Sequence, residues 1–215
     1  IGHGTGQNFL EDCSFLLDGM CHTCPQYPVS QFAREHLLYI QSFSFWDSGN
    51  AYYTKRKNLD SFLLVYTYEG KGWLDYRGES FLMQKGDAFL IDCREPHYYR
   101  TEYATWKHSD LHFYGNLGEY LYKDFVKENG NIFHPESGSD FQNSLEHLLH
   151  AYISIDPYRE YKVSALLNQL FVSILTEMES YTKSQQNMPD HLKYLVHYIN
   201  NNFTHELSLE FLSDF

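Results

Sequence analysis

Positive charge is scarce in this chain. Its 215 residues hold 16 Lys and Arg against 28 Asp and Glu, a formal charge of −12 at pH 7. A field of that sign repels phosphate, which excludes a nucleic-acid-binding surface spread over the whole chain. Long apolar runs are missing as well. The longest clear one, Phe62–Tyr66, is strand-sized, far short of the roughly 18 residues a membrane helix needs. The four cysteines, Cys13, Cys21, Cys24 and Cys93, are too sparse for a disulfide framework, and their use fits a reducing cytoplasm. Arg34 is the first Lys or Arg of the chain, so no secretory pattern opens it. Neither a GxSxG nucleophile turn nor a Gly-rich phosphate loop occurs. Gly2-His3-Gly4-Thr5-Gly6 is too short to count as one and no helix signal follows it.

Aromatic residues, by contrast, are abundant. They make up 18 % of the chain, with Tyr 19 and Phe 16 against Trp 3. That content excludes disorder, and Tyr in particular suits strands and polar-ligand pockets. Up to Gly115, apolar runs alternate with short turn signals. Expected strands cover Leu37–Trp46, Ser61–Tyr68, Trp73–Tyr76, Ser80–Gln84, Ala88–Asp92, Pro96–Glu102 and Ser109–Tyr114. Glu69-Gly70-Lys71-Gly72, Arg77-Gly78-Glu79 and Lys85-Gly86-Asp87 read as the turns between them. Strands at this spacing predict an antiparallel sandwich or small barrel.

Beyond Gly115 the apolar period becomes helical. One stripe is Leu117, Tyr120, Leu121 and Phe125, and a second is Phe141, Leu145, Leu148, Leu149 and Tyr152. The third and longest helix is expected over Arg159–Lys183. Residues 184–188 read as a polar linker, and Pro189 opens a further amphipathic helix through Leu192, Leu195, Val196, Ile199 and Phe203. The fold class is therefore α+β, with an N-terminal antiparallel barrel followed by helices.

Two stretches together carry a family resemblance. The first runs from Phe62 to Gly72, then through Gly86–Ile91, Pro96-His97-Tyr98-Tyr99 and Leu111-His112-Phe113-Tyr114-Gly115. It resembles the cupin-type sensor domain of the AraC/XylS transcription regulators. The second, Leu195–Phe203 followed by Leu207–Leu212, is similar to the opening of that family's DNA-binding domain, which carries two helix-turn-helix units. The resemblance implies an N-terminal arm (1–36), a cupin-like effector barrel (37–115), a helical dimerisation region (116–183), the linker (184–188) and a truncated start of the DNA-binding domain (189–215). The chain is expected to end inside the first helix-turn-helix unit, before any recognition helix. From Met188 on, Lys193 alone faces Asp190, Glu206, Glu210 and Asp214, so the cation-rich surface that grips phosphate is missing from this stretch.

The 12 histidines raise the question of a metal centre. Metal-binding cupins need two His one residue apart, a nearby carboxylate and a later His. The strand region after Gly72 has no His, and only His97 falls where the later ligand would. His108 and His112, with Asp110 between them, share one strand face, but barrel-filling histidines are the commoner arrangement. No metal and no cofactor are expected. Cys21-His22-Thr23-Cys24 lacks a second ligand pair for zinc and is followed by Pro25 rather than a helix, so it reads as ordinary thiols in an arm.

Strand parity puts His97 with Tyr99 on one face, and His108, Asp110 and His112 on one face of theirs. In sugar-sensing members the resemblance implies a pocket made by an Arg before the first long strand, a Tyr after the Pro-His histidine, and a His and a Trp before the Gly. These fall on Arg56 (Lys55 is the alternate), Tyr99, His108 and Asp110. Asp110 stands where the Trp would be, so the stacking platform is lost there. Val163, Leu167, Leu170 and Ile174 form a coiled-coil-like seam that resembles the family's dimerisation element.

The expected function is effector sensing and dimerisation in a cytoplasmic AraC-type regulator, without enzyme activity and without a membrane partner. The effector is a small polar molecule, a sugar among the candidates. The partners are a second copy of the chain, and DNA only through residues beyond this stretch. The rival reading is a stand-alone cupin enzyme or carbohydrate-binding module, from which residues 189–215 would distinguish it.

Overall fold

The computed structural model describes residues 13–135 and 139–187, with Leu192 and Leu195. The expected helix-turn-helix opening, and the expected end of the chain inside it, therefore lie outside the described residues. Two compact units divide the chain, one up to Ile174 and one from Leu175, and the sheet with its core belongs to the first.

The strands are β1 (Cys13–Leu16), β2 (Gly19–Thr23), β3 (Tyr39–Ser48), β4 (Tyr53–Arg56), β5 (Phe62–Tyr76), β6 (Glu79–Gln84), β7 (Ala88–Asp92), β8 (His97–Tyr114) and β9 (Ile132–Phe133). The helices are α1 (Gln31–His36), α2 (Asn116–Asn129), α3 (Asp140–Ile153) and α4 (Arg159–Asn187). All pairings described are antiparallel. The sheet runs β1-β4-β8-β5-β7-β9, with β3 also on β8 and carrying β2, and β6 also on β5. This is the cupin-like, sheet-rich fold followed by helices that the sequence pattern implies. The ladder is not closed, however, so the expected barrel is an open sheet folded over on itself.

Two long strands do the folding over. The first half of β8 pairs with β4 and its second half with β3. Likewise β5 pairs with β7 through Phe62–Tyr66 and with β6 through Lys71–Tyr76. The Glu69–Gly72 stretch, expected to be a turn, is instead a pair of bulges within β5, and Pro96–Glu102 and Ser109–Tyr114 belong to one strand rather than two. A bulge bends a strand without ending it. Glycine is needed at both bulges. Gly70 has φ +75°, and a Cβ there would sit 2.1 Å from the Thr105 carbonyl oxygen; a Cβ on Gly72 would sit 2.5 Å from the Trp106 ring. The Arg77-Gly78 turn forms as expected, with φ positive at both residues, the signature of a tight two-residue hairpin.

The core lies inside the fold of the sheet. Leu63, Val65, Leu74 and Tyr76 of β5 meet Phe89 and Ile91 of β7, Tyr99 and Trp106 of β8, and Tyr52, Met83 and Cys93. Each large side chain so buried contributes about 1.5–3 kcal/mol against exposure. On α2 the buried hydrophobic residues are Tyr122 and Phe125, while Leu117 and Tyr120 of the expected stripe are 47 % and 70 % exposed. On α3 the stripe is buried at Phe141, Leu145, Leu148 and Tyr152.

The long helix α4 corrects two expectations. It continues through the expected linker, to Asn187, because nothing between Lys183 and Asn187 breaks a helix. Its seam of Val163, Leu167, Leu170 and Ile174 is buried within the single chain. Phe171 beside the seam meets Phe113 of β8 edge-on, and Ser164 accepts a hydrogen bond from the Leu38 amide. The four seam residues therefore pack on the chain's own core rather than presenting a surface to a second copy.

Candidate functional site

β8 carries most of the polar side chains of the interior. Alternation along an extended strand turns His97, Tyr99 and Thr101 to the same side, and after the bend near Tyr103 it does so again for Trp106, His108, Asp110 and His112. All seven are buried. The bend is marked by φ +65° at Tyr103, whose ring is 84 % exposed. Arg56, opposite His97 in the register, is half-buried on β4. The structure thus brings Arg56, His97, Tyr99, His108, Asp110 and His112 into one interior. Lys55, the alternate for the arginine position, is exposed.

Contacts within this cluster are few and directional. Tyr99 Oη donates to Asp110 Oδ2 at 3.2 Å, and His108 Nε2 lies 3.3 Å from Asp110 Oδ1. His97 Nδ1 meets the Glu95 carbonyl at 2.9 Å, His108 Nδ1 the Trp106 carbonyl at 3.3 Å, and His112 Nδ1 the Ser61 hydroxyl at 2.9 Å. Several buried polar atoms have no hydrogen-bond partner among the described residues, including Arg56 Nε, His97 Nε2, His108 Nε2, Asp110 Oδ1 and Thr101 Oγ1. Native interiors leave few such atoms.

Sequence reasoning missed the aromatic walls. Trp106 stacks on His108 with ring centroids 3.9 Å apart, Tyr52 lies 5.4 Å from the same ring, and Trp46 lies parallel to it at 6.5 Å. Aromatic faces absent at position 110 are thus present elsewhere, from Trp46 on β3, Tyr52 before β4 and Trp106 on β8 itself. The signal lay in strand parity, since Trp106 is two residues before His108, and Trp46 is its cross-strand partner. Trp106 is also fixed by its indole N–H, which donates to Thr67 Oγ1 at 3.1 Å.

Burial governs the charges. It holds His108 and His112 down to about 3 and keeps His97 below the usual histidine range, so all three rings are neutral. Burial also pushes Asp110 up to about 7, against the Tyr99 hydrogen bond and the Arg56 charge. Among the described residues no group of three His, Cys, Asp or Glu is gathered closely enough to hold a metal ion. Cys21 is exposed and Cys24 half-buried, and burial together with the Cys21 thiol raises Cys24, the opposite of an activated redox cysteine.

A pH dependence of folding follows. Below about pH 6.5 the unfolded chain protonates three histidines that the folded interior keeps neutral, so their stabilisation is lost as pH falls. Asp110 acts oppositely, giving stability at low pH that is lost as pH rises through about 7. His108 and His112 already outweigh Asp110, and His97 acts in the same direction. Stability should fall by at least roughly 1 kcal/mol between about pH 6 and 5, at roughly 1 kcal/mol for each unbalanced proton. Urea unfolding across that range checks it, and Asp110→Asn should steepen the fall. A flat midpoint would contradict the burial of the three rings.

The AraC-like ligand binding domain family matches residues 43–171. No curated protein sequence matches the chain. Among solved structures, the AraC-like transcriptional activator CuxR is 13 % identical, with 89 % of this chain and 74 % of that one covered and a TM-score of 0.49. A cupin superfamily protein from Desulfitobacterium hafniense DCB-2 is 7 % identical over 46 % of this chain and 82 % of its own, at TM-score 0.35. An HTH_3 family transcriptional regulator from Vibrio cholerae is 14 % identical over 45 % of this chain, at TM-score 0.35, and the match spans 51 % of that protein. No helix among the described residues is long and apolar enough to cross a membrane. The family match takes in every side chain of the interior cluster, from Arg56 to His112, and on that match the chain belongs to the family of AraC-like ligand binding domains.

Proposed function

We propose that this chain is the effector-sensing part of a cytoplasmic, ligand-responsive transcription regulator. The effector is a small polar molecule such as a sugar, held inside the folded sheet, and the chain performs no catalysis. The observation that carries this reading is the set of buried, unpartnered polar atoms on Arg56, His97, His108 and Asp110. A bound molecule that partnered them would remove a standing cost of about 1–3 kcal/mol per atom. Aromatic rings at Trp46 and Tyr52 supply apolar faces beside those atoms. Regulation then requires that the effector bind one arrangement of the regulator more tightly than another, since equal binding to both shifts nothing. Assembly as a homodimer, and DNA contact through a following helix-turn-helix segment, belong to the same proposal. The four buried seam residues of α4 are not the surface for that dimer.

Calorimetric titration of a sugar and small-acid panel tests the proposal. Tyr99→Phe and His108→Ala each remove one hydrogen-bonding group, and each should weaken binding roughly five- to a hundredfold. A ligand held equally tightly by the unmodified chain and both variants would place the effector site elsewhere.

A further inference from the structure

The opposite face of the sheet carries a recess of its own. Ser109 lies between His108 and Asp110 in the chain, so alternation along β8 turns it away from the interior cluster. In the ladder Ser109 is flanked by Phe45 of β3 and Tyr66 of β5, a small residue in a row with two rings. Tyr68, two residues along β5, donates to Ser109 Oγ at 3.4 Å. These three rings, with Lys85 from the β6–β7 turn and one side of α3, line a cavity of about 500 Å3, a size that suits a small molecule. Polar groups around it are left unspent. Tyr66 is 6 % exposed, and its hydroxyl accepts from Gln142 Nε2 at 2.6 Å but donates to nothing among the described residues. Lys85 makes no hydrogen bond or ion pair among the described residues, and Glu69, whose charge it feels, is already held by Lys107 at 2.7 Å. On the α3 side Glu146 meets His150 at 3.7 Å, a contact that is ionic only when the ring is protonated.

We propose that this recess is a second ligand site, for a zwitterionic amino acid with an aromatic side chain. The ligand's ring packs among Phe45, Tyr68, Leu145 and Leu149, which line the cavity together. Edge-on contacts of the kind aromatic pairs favour are already present there, since Tyr66 and Tyr68 stand perpendicular with centroids 4.9 Å apart. The carboxylate takes the Lys85 ammonium and the unspent Tyr66 proton, and the ligand's own ammonium takes Glu146. The opposed charges of the lining decide the class. A simple acid would satisfy Lys85 but bring its charge towards Glu146, and a simple amine would do the reverse. A molecule that carries both charges beside an apolar body answers both. The site shares no side chain with the interior cluster, so it stands or falls apart from the effector reading.

Three probes on one skeleton separate the outcomes. L-phenylalanine carries both charges, 3-phenylpropionate the carboxylate alone, and phenethylamine the ammonium alone. In calorimetric titration of the whole chain, L-phenylalanine should bind with a Kd below roughly 1 mM, and each single-charge probe at least roughly fivefold more weakly. Lys85→Ala should erase the advantage of L-phenylalanine over phenethylamine. Glu146→Gln should erase its advantage over 3-phenylpropionate. Both positions are exposed, so neither change disturbs the fold. Leu149→Arg, which fills the recess, should abolish binding of all three probes, with thermal melting checking that the variant is folded. L-phenylalanine that fails to reach that affinity, a single-charge probe that binds as tightly, or unchanged L-phenylalanine binding in either charge variant overturns the proposal.

Discussion

Replacing Leu170 with glutamate should unfold the domain rather than separate a pair of subunits. Leu170 is 1 % exposed in the single chain, and its seam neighbours Val163, Leu167 and Ile174 are buried with it. The new carboxylate would replace an apolar side chain in that buried seam. An uncompensated buried charge costs about 3–5 kcal/mol, a large fraction of the roughly 5–15 kcal/mol that holds a domain folded. Val172 lies on the same helix and is 54 % exposed. Its replacement by glutamate should move stability by less than about 0.5 kcal/mol. Urea unfolding paired with sedimentation measures both variants. A folded Leu170→Glu protein with an unchanged midpoint and a smaller mass would restore the seam as a subunit contact and contradict its burial here.

Trp106→Ala should be comparably severe, for a different reason. The indole is fully buried, and its deletion leaves a void where the ring packs against Gly72, His108 and Tyr99. Large aromatic truncations in cores cost about 3–5 kcal/mol, more where surrounding atoms cannot collapse into the space. Collapse is poor here because the atoms facing the ring include the backbone of Gly72. The loss also strips Thr67 Oγ1 of its donor and His108 of its stacking partner. Trp106→Phe keeps a ring but loses the N–H, and should cost distinctly less. Midpoints for the two variants within about 0.5 kcal/mol of each other would mean that the hydrogen bond, not the packed volume, is what Trp106 supplies.

Local chemistry made some of this legible from the residues alone. Arg77-Gly78 announces a hairpin because only a turn with positive φ at both positions suits it. Period-two spacing was enough to set His97 with Tyr99, and His108 with Asp110 and His112, on common faces. It was not enough to join those faces, because joining them requires knowing that β8 bends near Tyr103 without ending. The same failure split β5 at Glu69–Gly72. Two glycines there read as a turn, yet they are demanded by the approach of Thr105 and Trp106 from the neighbouring strand, a contact no local pattern encodes. The α4 seam shows the converse limit. An apolar stripe specifies that something covers it, and only the tertiary fold shows that the cover is the chain itself.

The long shared strand also bears on how the molecule comes into being. β8 pairs with β5 from Tyr76↔His97 at the near end to Phe62↔Phe113 at the far end, and with β3 as distant as Tyr39↔Tyr114. Such pairings close long loops before they return any contact, which slows folding and concentrates it in one late event. The interior histidines and Asp110 all ride on that strand. A newly made chain therefore has no partial version of this polar interior, which forms in the same step in which the chain becomes folded.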